Sequence, residues 1–300
     1  MFLLSASERL LVVLFLWCSV MGVGMQSSMA EMRSLLASRG YLFRALLANF
    51  VLVPLVGIAL VRIIPFSPAG SGALLLLACV PGGLSMVKYT SKVKGESSQA
   101  GATLALLSLL AVFVSPFLLG LALPANVEFA VPYDRILAFI AVLVLLPLGL
   151  GLLVRRKSPD LAERLAKILG LVGTVAFVIF MSVTKVFRKE ALQSVSIPAV
   201  VGMIVLLVAA MAIGWFLGGP ARKSRQILAT STSMRNAALC LAIANSSPSG
   251  QVLIAPLLGF TILMIPPNLL FTLYHSIRSK REARRAGGAP LPRGGPPHGT

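Results

Sequence analysis

Long apolar stretches alternate with short charged or Pro/Gly-rich breaks along the chain, at about 8 to 25, 41 to 64, 70 to 94, 97 to 123, 132 to 154, 161 to 187, 196 to 219, 222 to 246 and 251 to 277. Runs such as Ala45 to Val61, Ile136 to Val154 and Ile197 to Leu217 approach the roughly 20 residues an α-helix needs to cross the hydrocarbon core. Alternating polar and apolar strands of barrel type are absent, so the spans read as helices. The pattern predicts an all-α polytopic membrane protein with about nine transmembrane helices over residues 1 to 277. Residues 278 to 300 are basic and rich in Pro and Gly, which predicts a disordered tail with no second folded domain.

Two segments depart from this pattern in the same way. The third contains Val80-Pro81-Gly82-Gly83-Leu84-Ser85-Met86-Val87-Lys88-Tyr89-Thr90 directly after the apolar run GALLLLACV. The eighth contains Ala229-Thr230-Ser231-Thr232-Ser233-Met234-Arg235-Asn236, polar and charged where a spanning helix should be oily. Pro81 lacks an amide donor and clashes with the preceding turn, while Gly82 and Gly83 tolerate unwound backbone. Both helices are therefore expected to break. Freed backbone groups at membrane depth are tolerable only where they are buried in protein or line a wet cavity. The breaks lie roughly 150 residues apart and five segments apart, an odd offset that turns the second half upside down relative to the first, and interrupted segments at matching places in inverted repeats point to a secondary transporter's binding site. A Pro-Gly-Gly alone reads equally well as a kink between packed helices. The matching second break, with a cation in each, favours a site.

Composition agrees with the pattern: of 300 residues, 57% are hydrophobic and 12% charged, a balance far from that of soluble domains. The net charge of +18 would suit a nucleic-acid partner, but the basic residues sit in short loops and the tail and form no stripe on a folded domain, which excludes that class. Of the 27 lysines and arginines, 19 fall in loops on one side, 6 on the other, and Lys88 and Arg235 lie inside segments. This asymmetry makes the first side cytoplasmic, with the N-terminus outside and the C-terminus inside. An apolar N-terminal segment followed by small residues also resembles a signal peptide, yet Glu8 weakens its basic region and the charge pattern needs this helix retained. Cys18, Cys79 and Cys240 stand in apolar segments without metal-ligand spacing, so no metal, cofactor or disulfide is expected. No nucleophile is paired with a base, and the two histidines, His275 and His298, stand near or in the tail, so the chain does not read as an enzyme.

The two broken segments carry a resemblance. ACVPGGLSMVKYTSKVKGE resembles the Pro-Gly-Gly broken helix of the bile acid:sodium symporter family, and ATSTSMRNAALCLAIANSS resembles its second crossing segment, which usually reads EVGMQN. The resemblance covers nearly the whole chain. It implies a panel domain and a core domain, in inverted repeats, with two discontinuous helices that cross in the core. It also implies a membrane carrier of small organic solutes in a bacterial inner membrane. The departures are specific. In sodium-coupled members Ser and Asn of a TASN run bind sodium, and here those positions are Met86 and Val87; a Ser and a Thr of the next helix fall on Ala100 and Leu104. The Glu and Gln of EVGMQN fall on Ser231 and Arg235.

Most side-chain sodium ligands are thus replaced by groups that cannot ligate a hard cation, and Lys88 and Arg235 bring fixed positive charge to the same region, where it repels sodium. The expectation is a sodium-independent secondary transporter of an organic anion working by alternating access. Arg235 is the main anion contact and Lys88 a supporting charge or proton carrier; Ser85, Thr90, Thr103, Ser231, Thr232, Ser233 and Asn236 supply neutral hydrogen bonds. Lys88 has a second reading, as a side chain that reaches for the headgroups beside Lys92 and Lys94. A sodium-coupled symporter of the same fold, and a membrane receptor or scaffold that binds without translocating, are the alternatives.

Overall fold

A computed structural model describes residues 6–27, 29–82, 97–122, 141–183, 196–245 and 249–285. Gly83, Ser85, Lys88 and Thr90 lie outside these residues, as do 286–300. The described chain is helical, without strands.

Helix α1 (Ala6–Gln26) is followed by a short α2 (Met29–Ala37), then by α3 (Arg39–Leu47), a π-helical turn (Ala48–Leu52) and α4 (Val53–Ile63), which together form one span. Helix α5 (Pro68–Cys79) opens with Pro68 in its first turn and Ser67 as N-cap, whose hydroxyl accepts from the Gly70 N–H at 3.1 Å. Next come α6 (Ser97–Ala122), a second π turn (Ala141–Leu145), α7 (Leu146–Lys157), α8 (Pro159–Val183) and α9 (Ile197–Leu217). The final third holds α10 (Arg222–Ser233), α11 (Ala237–Asn245), a 3-10 turn (Ser249–Leu253), α12 (Ile254–Leu263) and α13 (Ile265–Arg285). Where they fall on described residues, the apolar segments read from the sequence lie on these helices; their parts at 83–94, 132–140 and 184–187 lie outside the described residues. Residues 278 to 285, read from composition as tail, continue α13 as helix.

Among the described residues, three stretches are long and apolar enough to cross a membrane: Arg39–Ile63, Ile197–Leu217 and Ile254–Arg278. Helix α6 adds a bent pair, turning by 56° between Ala111 and Phe113. Pro116 explains the bend, because its ring crowds the carbonyl four residues earlier, that of Val112.

Helix α1 packs on α7 and α8. A methyl group on Gly24 would collide with the Leu148 carbonyl and one on Gly151 with the Met21 carbonyl, so this crossing depends on bare backbone on both sides. The other helices pack around α5: α4 and α12 touch it directly, and α9 lies against α4 and α10. Residues 70 to 82, from α5 into its break, are buried throughout. A helix surrounded by other helices, with no lipid-facing side, is where an interruption can be satisfied by protein.

Candidate functional site

Helix α5 stops at Cys79, two residues before Pro81, and Gly82 follows with φ of +88°. An L side chain rarely adopts that backbone. A Cβ there would also lie 2.7 Å from the Ser108 hydroxyl oxygen of α6, so glycine is required on two counts. Helix α10 ends at Ser233, Met234 is extended (φ −84°, ψ 102°), and α11 restarts at Ala237. The polar stretch in the eighth segment is thus an interrupted helix, as its composition implies.

The two interruptions meet. The Asn236 N–H donates to the Val80 carbonyl at 3.1 Å, while the Asn236 side-chain oxygen accepts from the Leu239 N–H at 3.0 Å and caps α11. The carbonyls at the end of α5, where the helical ladder runs out, are each met from another element, and Leu77 O also accepts from the Val80 N–H at 3.3 Å. The Cys240 thiol faces Leu76 O at 3.6 Å, Arg235 Nε donates to Leu77 O at 2.8 Å, and Arg235 Nη2 donates to Ala78 O. Ser115 Oγ of α6 donates to Cys79 O at 2.8 Å, and Ser108 Oγ to Gly82 O at 3.4 Å.

Arg235 is the centre of this arrangement. It is 3% exposed, and its Nη1 also donates to Asn49 Oδ1 at 3.1 Å and to Thr232 O at 3.2 Å. One guanidinium therefore binds the carboxyl-terminal ends of both α5 and α10, which carry the partial negative charge of their helix dipoles. Its planar fork, with five donors, suits four acceptors arriving from three directions.

The sequence-derived candidates divide into groups. Arg235 and Asn236 lie at the meeting point with Pro81 and Gly82, which are buried. Ser231, Thr232 and Ser233 are fully buried on α10, and their hydroxyls bond to helix carbonyls and neighbours: Ser231 to Leu228 O at 2.9 Å, Thr232 to Ala210 O of α9 at 2.6 Å, Ser233 to Asn268 Oδ1 of α13 at 2.6 Å. Thr103 is buried on α6. Gly83, Ser85, Lys88 and Thr90 fall outside the described residues. Four polar residues that the sequence reading passed over belong to the same network: Asn49, Ser108, Ser115 and Asn268. Asn49 sits in the π turn Ala48–Leu52, a local widening of the helix of a kind that often marks functional sites. The available signal was its polarity inside the otherwise apolar run ALLANFVLV.

The sequence pattern of the SBF-like CPA transporter family matches residues 4–275. The chain belongs to that family. In this SBF-like transporter family chain, both interruptions and every residue of the Arg235 network lie within the matched range. Similar curated proteins include the rabbit ileal sodium/bile acid cotransporter, 26% identical over 217 residues, covering 70% of this chain and 62% of the relative. Another is the uncharacterized sodium-dependent transporter YocS of Bacillus subtilis, 24% identical over 283 residues, covering 89% of this chain and 79% of the relative. A third is the bovine sodium-dependent organic anion transporter, 24% identical over 225 residues, covering 72% and 58%. The chain spans about three fifths of the rabbit relative's length.

Proposed function

We propose that this protein is a secondary membrane transporter of a small organic anion, with Arg235 as a built-in cation in place of a dissociable coupling ion. One observation carries the proposal: the Arg235 guanidinium donates to Leu77 O, Ala78 O, Thr232 O and Asn49 Oδ1. In transporters with discontinuous helices, carboxyl-terminal half-helix ends and unwound carbonyls coordinate sodium or protons. Here the same kind of oxygen cluster holds a side chain. A sodium ion entering it would lose these acceptors to the guanidinium and meet a like charge in a medium of low dielectric.

The substrate class rests on the names of the relatives, which include bile acid and organic anion carriers. In the proposed mechanism the anion lies against the positive amino-terminal end of α11 and the Nη2 hydrogen that Ala78 O leaves free. Asn236 holds that helix end, and Lys88 is a second charge. The helices around α5 form the core, α1, α7 and α8 contribute to the panel, and access alternates as one rocks on the other. Nine spans in inverted repeats, in an inner membrane with the N-terminus outside, complete the reading. Sodium coupling is the second reading, favoured by the names of the same relatives.

Uptake of radiolabelled organic anions into proteoliposomes, with sodium replaced by choline, tests the proposal. Equal uptake in both media is expected. Uptake that collapses in choline would overturn the built-in cation and establish sodium coupling, and binding without flux in either medium would establish a receptor.

A further inference from the structure

Away from the interruptions, a cavity of about 530 Å³ opens among the ends of α4, α5 and α6, within the size range of small-molecule sites. It runs from the loop between α4 and α5 along α5, past Ser71, to Leu75, one helical turn short of Cys79. Nine of its eleven described lining residues are apolar, Ile58, Phe66, Leu75 and Leu121 among them, yet polar atoms make up slightly more than half of the surface it presents. Two polar side chains face this lining, Arg62 and Ser71. Arg62 is exposed and has no hydrogen-bond or ion-pair partner among the described residues, and the Ser71 hydroxyl likewise has none. The amino-terminal end of α5, with Pro68 in its first turn, adds its partial positive charge to the same end of the cavity.

A cavity of mixed lining, with apolar side chains beside a few convergent polar groups, selects a ligand by the charge of one head and the bulk of one body. A single free guanidinium, a hydroxyl donor and a helix amino end select a negative head. The position matters as well: Leu75 stands two residues before Leu77, and the described lining includes none of the residues that hold Arg235.

We propose that this cavity is a second, peripheral binding site for an amphipathic organic anion, the place where substrate is captured before it reaches the interruptions. It lies at the Arg62 end of the Arg39–Ile63 span, the end away from Arg39 and Arg44, which is the external face in the orientation proposed above. The assignment of the captured molecule as substrate rests on the carrier reading; the binding site does not. An anionic phospholipid offers the same chemistry, a negative head on an apolar body. The commitment is to a soluble anion arriving from water, since the cavity's charged group stands at the exposed loop end.

Equilibrium dialysis of radiolabelled cholate, a rigid apolar body with one carboxylate, tests the site on full-length protein in phosphatidylcholine nanodiscs, with empty nanodiscs subtracted. Saturable binding is expected, weakened roughly tenfold or more by Arg62→Gln, largely kept by Arg62→Lys, and abolished by Ala122→Trp, which fills the cavity. Arg235→Ala should lose uptake and keep this binding component. Absence of saturable binding to the wild type, or equal binding to Arg62→Gln and Ala122→Trp, would overturn the site whatever uptake shows. Displacement of cholate when phosphatidylglycerol is added to the nanodiscs would overturn it in favour of a lipid. Binding that follows Arg62 in a protein without uptake would leave the site standing and reject the carrier.

Discussion

Arg235→Ala removes one side chain and leaves four oxygens facing a void: Leu77 O, Ala78 O, Thr232 O and Asn49 Oδ1. A buried acceptor without a donor costs about 1 to 3 kcal/mol. Leu77 O keeps the Val80 N–H at 3.3 Å and water admitted to the vacated volume satisfies part of the rest, so the expected net loss is about 3 to 5 kcal/mol. That loss should appear as a marked drop in thermal stability of the detergent-purified protein and as loss of anion uptake. Because the void keeps the shape and polarity of a guanidinium, free guanidinium ion at low-millimolar concentration should restore part of both, far below the molar range in which it unfolds proteins. Choline, which has no N–H donor, should restore neither. Sodium should stabilise Arg235→Ala and leave the wild type unchanged, since the mutant exposes an oxygen cluster that the wild type fills. Arg235→Lys should be intermediate, keeping the charge without the planar fork. A mutant that melts and transports like the wild type, or that choline rescues as well as guanidinium does, would refute the reasoning.

Gly82→Ala should lower uptake and cost about 1 to 2 kcal/mol from the left-handed backbone alone, plus the displacement of the Ser108 hydroxyl; adding Ser108→Ala should recover only the second part, and normal flux in Gly82→Ala would show that the break tolerates a side chain. Cysteines placed at Ser158 and Ser249, tested with membrane-impermeant thiol reagents, should label from the cytoplasm and from outside respectively, and labelling from one side would reject the nine-span topology.

The interruptions were legible because they depend on local chemistry. Pro81 and Gly82 disrupt a helix in any context, and the polar stretch through Ser233 and Arg235 contrasts with the apolar residues on either side. The network that joins the interruptions was not legible. The bond from Arg235 to Leu77 O links residues 158 positions apart, and that to Asn49 links residues 186 apart. Composition alone made Arg235 a cation in need of an anion; the structure surrounds it with carbonyl dipoles, whose summed partial charges serve the same electrostatic purpose. Nor did the sequence distinguish hydroxyls that bind neighbouring helices, such as Thr232 to Ala210 O, from hydroxyls free to meet a solute, because serine and threonine look alike in both settings.

A cation carried on a side chain differs from a cation drawn from solution in one thermodynamic respect. An ion that enters from one compartment and leaves to the other dissipates its own gradient, and that dissipation can drive a solute uphill. The guanidinium of Arg235 is tethered to the backbone beside Ser233 and Asn236, so in the proposed carrier it returns with the protein at the end of every cycle. In that role it lowers the electrostatic cost of the crossing without performing net work. For a carrier operating on Arg235 alone, the steady-state ratio of anion across the membrane is then set by the membrane potential acting on the anion's own charge, or by exchange for a second anion.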